Sequence, residues 1–146
     1  MQVLAQNVMS GDAILQLQAT ECFRKLLSKA RNPPVAEAIQ CGVVPWFVEF
    51  LKRSNDRNLQ LEAAWVLTNI TSGARHHTAT VVEAGAIPIL IGLLESPADD
   101  VREQAAWALG NVAGDGPDNR NVVLKAQALP PLLRLLNDHT SKAPML

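Results

Sequence analysis

Residues 62–69 read Glu-Ala-Ala-Trp-Val-Leu-Thr-Asn, and residues 103–111 read Glu-Gln-Ala-Ala-Trp-Ala-Leu-Gly-Asn. Trp65 and Trp107 are separated by the same number of positions as Asn69 and Asn111, the last residues of the two stretches. Self-similarity at a fixed period is the signature of repeat architectures, in which each unit buries its apolar face against the next. The sequence therefore predicts a chain built from stacked copies of one unit.

A second phrase recurs with nearly the same period. A short segment that ends in proline occupies positions 41–45, 84–88 and 126–130, and its two steps differ by a single position. Periods in the low forties are typical of HEAT and armadillo arrays when the pattern within each unit is helical. A propeller blade has a similar length, but it requires strands.

The pattern within each unit is helical. Val101, Ala105, Leu109 and Val112 fall at helical spacing, and Gly114 ends the run. Each unit combines two short helices with one longer helix, so we predict an all-α solenoid in a single domain that is incomplete at both ends. Its predicted units are 1–31 (the end of a first repeat), 32–74, 75–116 and 117–146 (a partial repeat).

The composition argues against several other classes of protein. The 146 residues carry 13 basic and 14 acidic side chains, so binding to nucleic acid through a strong positive charge is not expected. The longest nearly apolar run, at positions 84–94, is shorter than the roughly 18 to 20 residues of a membrane helix. The N-terminus lacks the features of a secretory signal. We predict no membrane span and a reducing environment.

The cysteines and histidines do not suggest a metal site. Cys22 and Cys41 are predicted to be free, small and buried. Together with His76, His77 and His139 they are too few and too widely spaced to bind zinc. The adjacent pair of histidines is predicted to lie in a solvent-exposed loop. No nucleophile with a base and no phosphate-binding loop is found, so we predict no metal, no cofactor and no enzymatic activity.

The two repeated tryptophans lie on polar helix faces. On a helical wheel Trp107 shares a stripe with Gln104 and Asn111, away from the apolar stripe, and Trp65 is placed in the same way beside Asn69. A single tryptophan at helical spacing usually packs against a neighbouring helix. Two copies on two polar stripes favour a surface function. The third tryptophan lies in an apolar segment and is predicted to pack in the core or between helices.

Stacked long helices about 8 to 10 Å apart would align the two indoles along one groove. An asparagine one turn beyond each indole can donate to, and accept from, the backbone of an extended peptide. Lysine or arginine fits best between indole faces, because its methylenes pack on the rings while its charge gains cation–π attraction. The sequence therefore predicts a groove for basic peptides.

Two further features bear on this groove. Helix C-termini near the asparagines favour a cation, and Asp115 adds a negative charge there, although alone it is equally well explained as a solvated turn residue. The interval from position 41 to position 84 gives the length of one period. Counted back by this period, Trp65 matches Cys22 and Asn69 matches Leu26. The paired sites are therefore predicted to begin in the second unit.

Three stretches resemble a known family. LEAAWVLTNITSG (61–73), VREQAAWALGNVAGDGP (101–117) and RNPPVAEAIQCGVVPWFVEFLKR (31–53) are similar to importin alpha, the armadillo-repeat adaptor for nuclear import, and most of all to its plant-type members. The resemblance implies a right-handed armadillo solenoid of about three repeats. It also implies a concave face that binds lysine- and arginine-rich nuclear localisation signals in extended form, and a location in cytoplasm and nucleus.

Carried over to matching positions, the resemblance implies a partial major site for the signal peptide. Gln104 matches a residue near the peptide backbone, and Asp115 matches the acidic residue that pairs with a peptide lysine. Leu27 and Lys29 match a contacting stretch, although the lysine would repel a basic ligand. The implied peptide-binding residues are Trp65, Asn69, Ser72, Gly73, Thr78, Gln104, Trp107, Asn111, Asp115 and Leu27, of which Ser72, Gly73 and Thr78 surround a deep lysine pocket.

The sequence departs from the family pattern at both ends. The basic segment that recruits importin beta in the family does not precede Met1, and the third tryptophan–asparagine pair would follow Leu146. We therefore expect binding of cargo signals without predicting coupling to importin beta. The main alternative is a truncated armadillo scaffold that self-associates through exposed repeat ends and binds signal peptide weakly or not at all. Nucleic-acid binding is a weaker alternative, because the predicted groove lies in the acidic part of the chain.

Overall fold

The computed structural model describes residues 1–29, 31–126, 130–134 and 136. The described residues contain helices and no strand. Residues 130–134 are helical, and the helices that precede them are α1 (Gln2–Val8), α2 (Ala13–Leu27), α3 (Val35–Gln40), α4 (Val44–Phe50), α5 (Arg57–Thr71), α6 (Arg75–Glu83), α7 (Ala86–Leu93), α8 (Asp99–Gly114) and α9 (Pro117–Lys125).

Acidic residues mark the starts of the three long helices. The carboxylate of Asp12 accepts the backbone N–H groups of Ile14 and Leu15 at the start of α2, and Asp56 caps α5 through the N–H of Leu59. In α8 two aspartates occupy the first turn, where the helix dipole favours negative charge. These local signals explain why each long helix begins where it does.

The three long helices lie side by side, with α5 packed against α2 on one side and against α8 on the other. Their buried apolar residues join those of the short helices in one continuous cluster that extends from α1 to α9. A core that extends from unit to unit is characteristic of a solenoid. The all-α repeat solenoid with two shorter helices and one longer helix per unit is therefore confirmed.

Two buried glutamines repeat one structural role. Gln16 donates through Nε2 to the carbonyl of Val8, and Gln60 donates to the carbonyl of Leu51, each at 2.9 Å. Both bonds satisfy a carbonyl at the end of the preceding short helix, where no helical partner is available. The two glutamines are thus equivalent positions of α2 and α5. The spacing from Gln16 to Gln60 is one position longer than the spacing from position 41 to position 84, which is the period that the sequence pattern predicts for these helices.

Two expectations about individual residues are wrong. Cys22 and Cys41 are free, but Cys22 is exposed and Cys41 only half-buried, because Cys22 lies on the side of α2 away from the core. His76 and His77 lie in a helix rather than a loop, since α6 begins at Arg75. No helix among the described residues is long and apolar enough to cross a membrane.

Candidate peptide-binding groove

Helices α5 and α8 carry the repeated tryptophans on their surfaces. The side chain of Trp107 is 63% exposed, and Trp65 is half-buried. The opposite side of each helix is buried through residues such as Leu67 and Leu109. A largely exposed tryptophan leaves a large apolar surface in water, so Trp107 is a candidate contact for a ligand.

The asparagines tie each long helix to the one before it. Asn111 donates through Nδ2 to the carbonyl of Thr68 at 3.2 Å and to the hydroxyl of Thr71 at 3.4 Å. Asn69 donates in the same way to the carbonyl of Arg24 at 3.3 Å and to Oγ of Ser28 at 3.0 Å. The amide nitrogens of both asparagines therefore donate to acceptors near the end of the preceding long helix.

A second polar pair joins α5 to α8 beside Trp107. The hydroxyl of Thr68 donates to the carbonyl of Ala64 at 2.8 Å and lies 3.3 Å from Oε1 of Gln104. Thr68 is buried, while Gln104 is half-buried. Because the single hydroxyl hydrogen is used in the shorter bond to Ala64, Gln104, which the resemblance places near a bound peptide backbone, lies beside Thr68 at the helix interface without being fixed by it.

An arginine that the sequence analysis did not single out lies over Trp65. The guanidinium carbon of Arg24 is 4.4 Å from the ring centroid. Its Nε and Nη2 donate to the two carboxylate oxygens of Glu62 at 2.8 and 3.1 Å. These hydrogen bonds raise the pKa of Arg24 above its ordinary value. Since the two side chains come from separate helices that are distant in the sequence, no local pattern predicts the pair.

The residues assigned to a lysine pocket divide into exposed and buried ones. Ser72 and Gly73 are exposed at the end of α5, where the Ser72 hydroxyl donates to the carbonyl of Asn69 at 2.7 Å. Thr78 is fully buried, and its hydroxyl donates to the carbonyl of Thr71 at 3.4 Å. Thr78 therefore supports the end of α5 from below and presents no side-chain surface.

The remaining assigned residues also differ in exposure. Asp115 is half-buried at the end of α8, and its Oδ2 accepts from Nδ2 of Asn119 at 3.1 Å. Leu27 is buried in the core, because it follows Phe23 by one helical turn on the packed side of α2. Lys29 is exposed just beyond the end of that helix. The side chain of Leu27 is thus unavailable to a ligand.

Two histidines lie next to the end of α5. The ring centroids of His76 and His77 are 4.1 Å apart, and a Cβ placed on Gly73 would be 3.7 Å from Nδ1 of His77. Burial, and next the neighbouring His76, lower the pKa of His77. Nε2 of His77 is buried and has no hydrogen-bond partner in the described part of the chain. This environment favours the neutral form of His77.

Carboxylates precede the exposed tryptophan on α8. Asp99 and Asp100 begin α8, and Glu103 is exposed one helical turn before Trp107. Asp100 pairs through both oxygens with Arg57 at 2.8 and 3.2 Å. Among the described residues, no group of three or more metal-binding side chains is present. Asp99 is paired as well, with Arg102, so of these three carboxylates Glu103 is the one whose charge suits a basic organic ligand.

Comparison with known proteins extends these observations. The family model of the armadillo/beta-catenin-like repeat matches residues 31–72 and 75–114, and that of the PBS lyase HEAT-like repeat matches residues 101–138. Importin subunit alpha-1b of Oryza sativa subsp. japonica is 55% identical over 101 residues, which are 69% of this chain and 19% of the relative. Importin subunit alpha-4 of Arabidopsis thaliana is 57% identical over 102 residues, which are 70% of this chain and 19% of the relative.

The chain therefore spans about a fifth of the length of the curated relatives it matches. One designed armadillo repeat protein superimposes with a TM-score of 0.87 at 25% identity, covering 94% of this chain and 57% of that chain. A designed armadillo repeat protein in complex with the peptide (KR)4 gives 0.86 at 28% identity, covering 94% and 56%. The similarity to importin alpha and the armadillo solenoid predicted from the sequence are confirmed. The chain belongs to the armadillo/beta-catenin-like repeat family.

Proposed function

We propose that this chain is the peptide-binding part of a nuclear import adaptor of the importin alpha type. It binds lysine- and arginine-rich nuclear localisation signals in extended form across Trp65 and Trp107. The observation that carries the proposal is the exposed indole of Trp107, one unit away from Trp65 on adjacent, directly packed helices. The exposed ring offers a ligand a large apolar surface with a polar edge, which is what a peptide side chain could pack against.

The groove chemistry supports a basic ligand. A lysine or arginine side chain between the two indoles gains about 0.5 to 2 kcal/mol of cation–π attraction, more as water is excluded. The side-chain carbonyls of Asn69 and Asn111 accept peptide N–H groups, while Asp115 attracts a cation at the end of α8. Ser72 and Gly73 contribute exposed backbone beside the end of α5. Thr78 and Leu27 are buried, and they support the groove by packing beneath its surface rather than by contacting the ligand.

The partners and location follow from the same proposal. The cargo is a protein that carries a basic signal, and the chain works in cytoplasm and nucleus. Importin beta is the partner that the similarity to importin alpha suggests. The proposal assigns binding and no catalysis, and it includes neither nucleic acid nor membrane among the ligands.

A second candidate function has its own observation. Val3 and Ile14, near the start of the chain, are 68% and 70% exposed, and Leu133 is 51% exposed near the other end. Apolar surface at the ends of a solenoid favours stacking of further copies. In this alternative the chain is a scaffold that self-associates and binds signal peptide weakly or not at all.

One titration separates the two functions. A fluorescent lysine-rich signal peptide is added to the wild-type chain and to the double variant Trp65→Ala, Trp107→Ala, and anisotropy is followed at two salt concentrations. We expect salt-sensitive binding that the double variant loses. The control is Trp46→Phe, which replaces the half-buried tryptophan of α4 and should retain binding. Equal or absent binding in all three proteins, with self-association in analytical ultracentrifugation, would support the scaffold instead.

A further inference from the structure

The space between α2 and α5, called the first interval, and the space between α5 and α8, called the second interval, are lined by equivalent positions of the repeat. Asn69 donates to the carbonyl of Arg24 in the first interval, and Asn111 donates to the carbonyl of Thr68 in the second. Arg24 and Thr68 are therefore the same position of the repeat. Glu62 and Gln104 are equivalent as well, since each precedes the tryptophan of its helix by three positions.

These equivalent pairs leave the two tryptophans in different environments. In the first interval Arg24 bridges to Glu62 and lies over the ring of Trp65. In the second interval Thr68 is too short to reach over the ring of Trp107, and its hydroxyl turns to the carbonyl of Ala64. Within the described residues no cation lies over Trp107, and its side chain stays 63% exposed.

We propose that Arg24 is a resident cation that closes the groove at Trp65. The guanidinium of Arg24 lies against the side of the Trp65 ring that faces α2. It is placed there as a lysine or arginine of the ligand is placed against Trp107. The inference rests on the proposed function and adds a specificity rule to it. The basic stretch of a bound peptide ends at Trp65, because the next slot already holds a positive charge.

The energetics favour the resident side chain over a competitor. The side chains of Arg24 and Glu62 are only 19% and 14% exposed, so their bidentate pair is screened less than a surface pair. Glu21, the other carboxylate of this interval, lies 3.8 Å from Arg24 and 3.7 Å from Nζ of Lys25. A ligand cation that entered here would find both carboxylates already paired and would have to displace a tethered guanidinium.

The chain itself provides the reciprocal test. An opening variant, Arg24→Thr with Glu62→Gln, gives the first interval the residues of the second. A closing variant, Thr68→Arg with Gln104→Glu, gives the second interval the residues of the first. Both changes conserve net charge, so long-range attraction of a basic peptide is matched. Arg57→Thr with Asp100→Asn removes another bidentate pair between long helices that covers no indole, and serves as the control.

The probes are a short lysine-rich peptide and versions extended by two lysines or two alanines at either end. For the wild-type chain and for the control variant, we expect the affinities for the short peptide and the lysine-extended peptides to differ by less than about twofold. The opening variant binds one lysine-extended peptide about threefold to tenfold more tightly than the short one, whereas alanine extensions add nothing. The closing variant loses at least about tenfold for every peptide. Circular dichroism verifies folding, and Arg24→Gln with Glu62→Gln, which keeps two long polar side chains and the net charge, replaces the opening variant if that one unfolds.

The possible outcomes distinguish failure of the inference about Arg24 from failure of the proposed function. If the wild-type chain binds peptide but the opening variant gains nothing from extra lysines, the inference about Arg24 is wrong and the peptide-binding function stands. If only the opening variant binds, Arg24 blocks the groove and the proposed function of the wild-type chain fails. If neither protein binds any peptide, both proposals are overturned.

Discussion

The side-chain nitrogen of Asn111 lies 3.2 Å from the carbonyl oxygen of Thr68, one unit earlier in the solenoid. The bond joins the last turns of two neighbouring long helices. Asn69 repeats it one unit before, so the asparagines stabilise the stack of helices. A residue type that the sequence assigns to ligand binding therefore has a structural role too.

Replacement of Asn111 by alanine should affect stability and binding together. The carbonyl of Thr68 loses a partner at a half-buried interface, which lowers the free energy of unfolding by about 1 kcal/mol. Urea denaturation measures the loss, and peptide titration measures the accompanying loss of affinity. Asn58→Ala, at an exposed position of α5, is the control and should change stability by less than about 0.5 kcal/mol. An unchanged unfolding midpoint for Asn111→Ala would contradict this account.

Two glycines provide a matched pair for backbone strain. Gly85 joins α6 to α7 with φ of +83°, a left-handed conformation, and a Cβ there would meet no atom within 4 Å. Gly92 lies inside α7, also with open space around it. Gly85→Ala should destabilise the chain by about 1 kcal/mol, and Gly92→Ala should stabilise it by about 0.5 to 1 kcal/mol. Thermal unfolding of both variants measures the opposite signs, and a shift of both Tm values in one direction would refute the explanation.

How much of this molecule can be predicted depends on the range of the interactions. The helices and the repeat follow from apolar spacing and capping, which are local, and the exposed Trp107 follows from its place on a polar stripe. The position of Arg24 over Trp65 depends on the register between α2 and α5, in which Gln16 and Gln60 are equivalent. That register differs from the predicted one because packing sets it, and packing also decides the burial of Leu27.

The stability of the chain should fall in mild acid because of His77. Burial lowers the pKa of this imidazole, and the adjacent His76 lowers it further. The unfolded chain therefore takes up a proton at His77 at a higher pH than the folded chain does. Stability is complete above about pH 6.5, the ordinary value for histidine, and declines as the pH falls below it. His77→Gln should flatten the dependence of Tm on pH between about 7.5 and 5.5, and an unaltered slope would argue against a neutral, half-buried His77.

The charge at the end of α8 gives the last prediction. Asp115 is half-buried and Asp118, in the first turn of α9, is exposed. Asp115→Asn and Asp118→Asn change the net charge equally, so general attraction of a basic peptide falls equally in both. If Asp115 pairs with a peptide lysine, its variant should lose about threefold to tenfold in affinity, against less than about twofold for Asp118→Asn. Raising the salt concentration should reduce the wild-type affinity more steeply than that of Asp115→Asn, since the variant makes one ion pair fewer with the peptide. Equal losses for the two variants would assign Asp115 to the turn and leave the cation to the indoles alone.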